Sequence, residues 1–511
     1  MRLSLKMHKS FTLFARWSNN FIFFCVFLLT WSAADIYAQK NIDNQIVKGL
    51  NYCYNFEWDK AETIFSEVIE KYPDHPAGYH YLSSIYFWYY LSNKQKPHLD
   101  SFLLNSDKAI ERSKKLLSKS EDERILYLIG SNYSYRAIAF AKAEEFLDAA
   151  WATKESESYL SDAIEINPEL YDAYLGLGLY NFAIAQIPAA FKWVLSLAGI
   201  SGNQNEGLKY IRTTAEKGKF SKVEANYYLS QIYSEVLYDY KNASEVLNRL
   251  ENLYPHNTLF RYSLAVLDIK KRNLDKAEKH LNKILKEKNV NFKQLISYSN
   301  FLMGDVYFRK NNFNEAIEYY SKFLSSAHSK DYTGIASFRI AVCYELSGVR
   351  IKAVEYFASS GKGNMDLDDD LYAKRKGAIY YQRSISKNEF ELIKAANLVE
   401  AGNYRDAIDS LNALLPNLKK EELKAEARLI LSDALFFMNK LDESLKLGKE
   451  ALEYNCKDEI WIKPFAMYYL ARAHLKKSEI AEAKYYVAEA LDFSGYDYEN
   501  KLKNLLNALI K

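Results

Sequence analysis

The sequence predicts an all-α protein built from stacked helical hairpins, and three observations indicate this class. Pairs of small residues twelve positions apart recur along the chain, as expected of a repeat protein. Glycine and proline are scarce, at 18 and 8 among 511 residues, whereas an all-β protein with many tight turns needs more of both. The composition, 49% hydrophobic and 26% charged, is that of a folded globular chain.

The repeat unit is clearest near the N-terminus. Gly49 is followed twelve positions later by Ala61, then by Phe65 and Pro73. Small residues on two helices let the helix axes approach, the larger ring fills the seam, and proline ends the second helix. This stretch therefore predicts one helical hairpin.

The same spacing recurs further along the chain, at Ala265 and Ala277, Gly304 and Ala316, Ala341 and Ala353, Ser432 and Ser444, and Ala471 and Ala483. Ser230 and Ala243 lie one residue further apart. This pattern resembles the tetratricopeptide repeat. The resemblance implies a right-handed α-solenoid, in which neighbours stack because one hairpin cannot bury its own apolar face. Counting the centres of the second helices gives about eleven hairpins.

The regularity of the repeats predicts five segments. Residues 1–38 form a signal peptide, 39–220 hold irregular repeats, and 221–360 hold regular ones. Residues 361–388 are an insertion with at least one helix, Leu371–Ser384, and 389–511 form the C-terminal repeats.

The N-terminal segment predicts export. Basic residues, among them Arg2 and Arg16, precede an apolar run over 21–34 that is short for a membrane span, and Ala38 offers a small residue for cleavage. We expect a bacterial periplasmic or envelope protein whose mature chain begins at Gln39; an uncleaved anchor is the alternative. Without this segment, basic and acidic side chains balance, which argues against nucleic acid as the partner.

A second resemblance covers residues 171–236. It rests on Leu175-Gly-Leu-Gly-Leu-Tyr180, on Lys192-Trp-Val-Leu-Ser-Leu-Ala-Gly199 and on Glu224-Ala-Asn-Tyr-Tyr-Leu229. This block resembles exported bacterial tetratricopeptide proteins and the eukaryotic inclusion-body-clearance family at the mitochondrial outer membrane. The resemblance implies a non-enzymatic repeat protein close to an outer membrane or to lipid.

Residue patterns that could support catalysis or cofactor binding are weak. Gly361-Lys-Gly363 lacks the spacing of a phosphate-binding loop, and Gly176 and Gly178 favour helix contact over dinucleotide binding. The acidic run from Asp366 to Asp370 lacks the glycine and glutamate of a calcium loop, so we expect a solvated helix N-terminus.

Metal and disulfide sites are not expected either. His75 and His80 straddle a helix start, which does not suit metal ligation. Cys53, Cys343 and Cys456 are far apart and form no CxxC pair, so we expect buried free thiols. The sequence therefore predicts no enzyme, no cofactor and no metal.

The remaining candidate is a binding surface for a protein or peptide. In tetratricopeptide proteins the first helix of each hairpin lines a concave groove, and aromatic residues at groove positions anchor a bound segment. The aromatic residues at these positions are Tyr227, Tyr262, Tyr298, Phe301, Phe308, Phe338 and Tyr468. Aromatics here disfavour a chaperone-type carboxylate clamp. The alternative is that the rings pack within their own hairpins.

The apolar stretch 184–200, interrupted by Pro188, is the second candidate. It could contact a membrane surface or lipid, or it could be core. Its polar face carries one charge, Lys192, and a lipid-facing helix usually carries more, so we favour core packing. Membrane or lipid association through this stretch is the alternative function.

Overall fold

A computed structural model describes residues 37–187, 201–287 and 292–510 of the chain. Within these ranges the protein is entirely helical, with 24 α-helices and no strand. The predicted all-α class is therefore confirmed.

The helices are numbered in chain order. In the first part of the chain they are α1 (37–54), α2 (Trp58–Lys71), α3 (Pro76–Asn93), α4 (Lys96–Leu117), α5 (Glu123–Lys142), α6 (Phe146–Ile166), α7 (Tyr174–Gln186), α8 (Gln204–Lys217), α9 (Lys222–Gln231), α10 (Tyr240–Leu253), α11 (Thr258–Lys270) and α12 (Leu274–Lys286). The others are α13 (Lys293–Arg309), α14 (Phe313–Ser326), α15 (Thr333–Leu346), α16 (Arg350–Ser359), α17 (Asp368–Gln382), α18 (Lys387–Glu400), α19 (Tyr404–Leu414), α20 (Glu421–Phe437), α21 (Leu441–Leu452), α22 (Ile462–Lys476), α23 (Ile480–Leu491) and α24 (Glu499–Leu509).

Consecutive helices pair into hairpins. Eleven such pairs lie within the described residues, from α1 with α2 to α22 with α23, while α17 is an extra helix and α24 follows the last pair. This agrees with the expected number of about eleven. Helix α17 lies inside the predicted insertion, close to the expected Leu371–Ser384.

The chain divides after Val223 into two compact units. Unit 1 holds the hairpins from α1/α2 to α7/α8, and unit 2 runs from Glu224 to the C-terminus. The first of the expected repeat segments ended at residue 220, three residues earlier.

Small residues create the close seams that the sequence pattern implied. A Cβ atom added at Gly49 would lie 2.2 Å from the Phe65 ring, and one added at Gly304 would lie 2.6 Å from the Tyr320 ring. The aromatic residue four positions after the small residue of the second helix therefore packs directly on the glycine of the first helix.

Ser432 and Ser444 form a hydrogen-bonded version of the same seam. Each hydroxyl donates to the backbone carbonyl of the other residue, at 2.8 and 2.7 Å, and both side chains are buried. Both hydroxyl groups are therefore satisfied inside the seam by backbone carbonyls.

The turn inside each hairpin has a common backbone conformation. In ten of the hairpins one turn residue has a positive φ. It is Gly348 in α15/α16 and Gly402 in α18/α19, but Asn311 in α13/α14 and Arg272 in α11/α12. Glycine and asparagine adopt this left-handed conformation most readily. The turn is thus set by its backbone geometry more than by one required residue type.

Candidate protein-binding surface

The seven aromatic residues predicted to bind a partner all lie on the first helices of their hairpins. Tyr227 is on α9, Tyr262 on α11, Phe338 on α15 and Tyr468 on α22, while the other three are on α13. In unit 2, α13 packs against both α11 and α15. Helices α11, α13 and α15 therefore form one continuous layer.

Three of the predicted rings are part of the core. Phe301 and Phe338 are each 6% exposed, and Tyr468 is 9% exposed. The Phe301 ring lies 5.2 Å from that of Phe323, and the Phe338 ring lies 5.9 Å from that of Phe357. These three rings pack within the hairpins, which corrects the expectation that they line an open groove.

The other four predicted rings are half-buried. Phe308 lies beneath the guanidinium of Arg339, 5.7 Å from its ring centre. Tyr227 packs at 5.6 Å against Phe260, and Tyr298 packs at 6.0 Å against Phe323. Tyr227 and Tyr298 thus each have one side on the core, and the role of all four rings in binding a partner stays a prediction.

A further tyrosine, Tyr332, joins this group. Its ring lies 6.2 Å from Tyr298 and 5.1 Å from Phe301. We call Tyr227, Tyr262, Tyr298 and Tyr332 the tyrosine surface. Sequence reasoning missed Tyr332 because it lies in the loop before α15, with a φ of +62°, outside the helical spacing that identified the others.

The pKa values of all four phenols are raised above the usual value for tyrosine, and burial is the largest cause in each. Burial raises the pKa of Tyr262, and the neighbouring phenols of Tyr332, Tyr298 and Tyr227 raise it further. Burial also raises the pKa of Tyr227 to about 12. The tyrosine surface therefore offers neutral hydroxyl groups over apolar rings, an arrangement suited to contacts with protein.

A buried polar cluster supports the layer beneath. Tyr320 donates a hydrogen bond of 2.6 Å to Asp305, and Arg339 pairs with the same carboxylate. The three residues lie on α14, α13 and α15, so the cluster ties consecutive helices together. Its charges are paired with one another, as a structural role requires.

The acidic run at the start of α17 has a different role from the expected one. Asp370 is fully buried and accepts backbone N–H groups of Tyr332, Ile335 and Asn364 at 2.8–2.9 Å. It is therefore a buried loop anchor, not a solvated residue as expected. Burial raises its pKa, and the three N–H donors oppose that rise.

Unit 1 contains a matching anchor. Asp172, 5% exposed, accepts the backbone N–H groups of Lys219, Phe220 and Ser221 at 2.7–3.1 Å. Asp172 did not stand out in the sequence, because nothing in the local pattern shows which loop will reach a carboxylate almost 50 residues away.

The other residues considered for chemistry also have structural roles. A Cβ at Gly178 would lie 2.7 Å from Ile211, which confirms helix contact there. His80 is 1% exposed and stacked on Tyr135 at 5.8 Å. Burial raises the pKa of Cys53 and of Cys343, and both thiols are buried and free.

The described residues hold neither a cluster suited to a metal ion nor a helix able to span a membrane. No group of histidine, cysteine, aspartate and glutamate residues within them could hold a metal ion. No described helix combines the length and apolarity needed to cross a membrane. Most of the predicted signal peptide, residues 1–36, and most of the apolar stretch, residues 188–200, lie outside the described ranges.

Comparison with known proteins agrees with the repeat pattern. Residues 172–349 match the family described as Iml2/Tetratricopeptide repeat protein 39, and residues 48–75 match a tetratricopeptide repeat. The first match overlaps the block that resembled the inclusion-body-clearance family. No curated protein matches the chain.

Solved structures include similar repeat proteins. The crystal structure of yeast Tom70 is 16% identical, covering 93% of this chain and 96% of that one, with a TM-score of 0.28. The P58(IPK) TPR domain is 13% identical, covering 86% and 99%, with a TM-score of 0.22. The hairpins and the family matches together identify the chain as a tetratricopeptide-repeat protein that resembles the Iml2/Tetratricopeptide repeat protein 39 family over residues 172–349.

Proposed function

We propose that the protein is a non-catalytic scaffold that binds a segment of another protein along the first helices of unit 2. The observation that carries the proposal is the tyrosine surface, in which four tyrosines lie over a closely packed core. Such rings offer apolar contact area and a hydrogen-bonding hydroxyl group at little cost in side-chain entropy. Repeat proteins commonly bind partners on the surface that their stacked units share.

The charges of unit 2 support a structural rather than a catalytic role for its polar residues. The Asp305 carboxylate is engaged by Tyr320 and Arg339, and Asp370 by three backbone N–H groups. Each carboxylate therefore stabilises packing or a loop.

A photocrosslinking amino acid in place of Tyr262 tests the proposal. Tyr485, which is 58% exposed on the second helix α23, is the matched control position. We expect crosslinks to a discrete partner in the cell envelope from position 262 and none from position 485. Equal crosslinking from both positions, or none from position 262 in chains with normal thermal unfolding, would refute the proposal.

The location of the protein is part of the same proposal. The basic and apolar residues before Ala38 support export to the periplasm or cell envelope, with cleavage after Ala38. N-terminal sequencing of the protein from fractionated cells should find Gln39 as the first residue. A full-length chain in the cytosolic fraction would contradict export but not the binding role of unit 2.

A further inference from the structure

Contacts within unit 2 depart from the pattern of a simple repeat stack. In such stacks each repeat contacts only its neighbours. Here α13 packs against α18, although four helices separate them in the chain, and α17 packs against α24, with six helices between them. Unit 2 therefore folds back on itself.

One set of charges joins distant hairpins near the end of α11. Arg272 bonds to Glu400 at 2.8 Å and to Asp433 at 2.5 Å, although these partners lie 128 and 161 residues further along the chain. Glu400 also pairs with Arg309 at 2.9 Å, and Asp433 pairs with Arg472 at 2.6 Å. We call these five residues the Arg272 clamp. It joins the turn after α11 to helices α13, α18, α20 and α22.

A second set lies at α17. Arg375 bonds to Asp497 at 2.5 and 2.9 Å and to Glu459 at 2.7 Å. Lys376 pairs with the same Glu459 at 2.7 Å. We call these four residues the Arg375 clamp. It holds the loops on either side of the α22/α23 hairpin against α17.

The Arg375 clamp lies beside the tyrosine surface. The start of α17 contacts the start of α24, where Asp368 accepts the Lys501 backbone N–H at 3.0 Å and Asp369 accepts the Tyr498 hydroxyl at 3.4 Å. The next carboxylate, Asp370, accepts the backbone N–H of Tyr332 at 2.9 Å. Three consecutive aspartates thus connect the C-terminal helix on one side with the tyrosine surface on the other.

The three C-terminal helices share one apolar cluster, and α22 also packs against α20 and α21. Leu502 and Leu506 of α24 are fully buried, in a cluster with Tyr468 of α22 and Val487 of α23. The contacts of these three helices with α17 are, in contrast, mainly charged or polar, with one ring contact of 5.4 Å between Tyr372 and Tyr498. The apolar packing among the three helices therefore does not depend on their contact with α17.

Ion pairs are less suited than apolar packing to holding two parts of a protein together permanently. Well-packed apolar residues in place of a buried ion pair often leave stability unchanged or raise it, whereas ion pairs specify position and can serve as switches. Both clamps therefore suit a contact that forms in one arrangement and can be released.

We propose that α22–α24 form a built-in lid over the Tyr332 end of the tyrosine surface, with the Arg375 clamp as its latch. The lid restricts access while the clamp is formed, and a bound protein segment favours the open arrangement. This inference rests on the proposed function for its purpose, but the closure itself can be measured without any partner.

The test compares Arg375→Gln with Arg428→Gln in the full chain. Arg428 is a matched control because it pairs with Glu450 within its own hairpin, at 2.9 Å. Hydroxyl-radical footprinting reports the water accessibility of Tyr332 and Tyr498, and hydrogen exchange reports residues 499–509. We expect both signals to rise several-fold in Arg375→Gln and to stay at the wild-type level in Arg428→Gln, with unchanged far-ultraviolet circular dichroism.

Two results would overturn the lid. One is unchanged footprinting and exchange in a folded Arg375→Gln protein, and the other is an equal rise in the Arg428→Gln control. Should Arg375→Gln fail to fold, Asp497→Asn removes one partner of the Arg375 clamp, and the same footprinting and hydrogen-exchange measurements on that variant test the lid. Crosslinking from position 262 is a separate result, so failure of the lid and failure of the binding proposal remain distinguishable.

Discussion

Replacing Phe338 by alanine should destabilise the protein strongly, because its ring lies in the core. The ring is 6% exposed, so nearly all of the roughly 200 Å² of a phenylalanine side chain is buried. At about 25 cal/mol per Å² this burial corresponds to about 5 kcal/mol. The alanine methyl group keeps part of that, and the cavity adds to the loss, so the free energy of unfolding should fall by about 3–5 kcal/mol.

Urea unfolding of the full chain, followed by circular dichroism, measures this change. Hydrogen exchange of α15 peptides gives the local value, because repeat arrays do not always unfold in one step. Phe146→Ala is the control, since that ring is 69% exposed and its loss should change stability by at most about 0.5 kcal/mol. Equal effects of the two substitutions would show that Phe338 is not a core residue.

Three further substitutions test the structure. Burial lowers the pKa of His80 to about 4, below the value of about 6.5 for an unfolded chain. The contribution of neutral His80 to the free energy of unfolding is therefore complete above pH 6.5 and is lost as the pH falls towards 4. Wild type should therefore lose up to about 3 kcal/mol more than His80→Phe between pH 7.5 and pH 4 in urea titrations, and parallel pH curves would contradict this. Asp370→Asn should lower the free energy of unfolding by about 2–4 kcal/mol, because a carboxylate that accepts three N–H groups is replaced by an amide. Asp366→Asn, at an exposed position, should leave the thermal midpoint unchanged. Similar midpoints for the two variants would refute the role of Asp370 as a loop anchor. Gly304→Ala should lower the free energy of unfolding by about 1–3 kcal/mol, because its Cβ would meet a tyrosine ring at 2.6 Å. Gly361→Ala is the control, since a Cβ there would have its nearest atom at 3.6 Å. Calorimetry that finds Gly361→Ala more destabilising than Gly304→Ala would show that Gly304 does not lie in the seam.

Local structure was predictable because the residues that pack the two helices of a hairpin together lie close in the sequence. The spacing of Gly304 and Ala316 predicts two helices that approach closely, and the structure pairs α13 with α14. The acidic run before Leu371 predicts a helix start, which is where α17 begins. Both inferences depend on residues that are at most twelve positions apart in the sequence.

Burial within the binding surface was not predictable to the same degree. The spacing placed Phe301 and Tyr298 on the same helix, yet Phe301 is core and Tyr298 is half-buried. Residues three apart on a helix point in directions that differ by about 60°, and the position of the next hairpin decides which of them it covers. Tyr332 escaped notice because its place in the surface comes from a loop held by Asp370.

The sequence by itself determined that this chain forms helical hairpins, and roughly how many, because a repeated spacing of small residues specifies contacts between adjacent helices. Only the tertiary structure decided that unit 2 folds back, with Arg272 reaching Glu400 and Arg375 reaching Asp497. The physical reason is that small rotations between successive hairpins accumulate along a stack. Which distant charges meet therefore depends on the sum of many packing angles, and no local pattern of residues contains that sum.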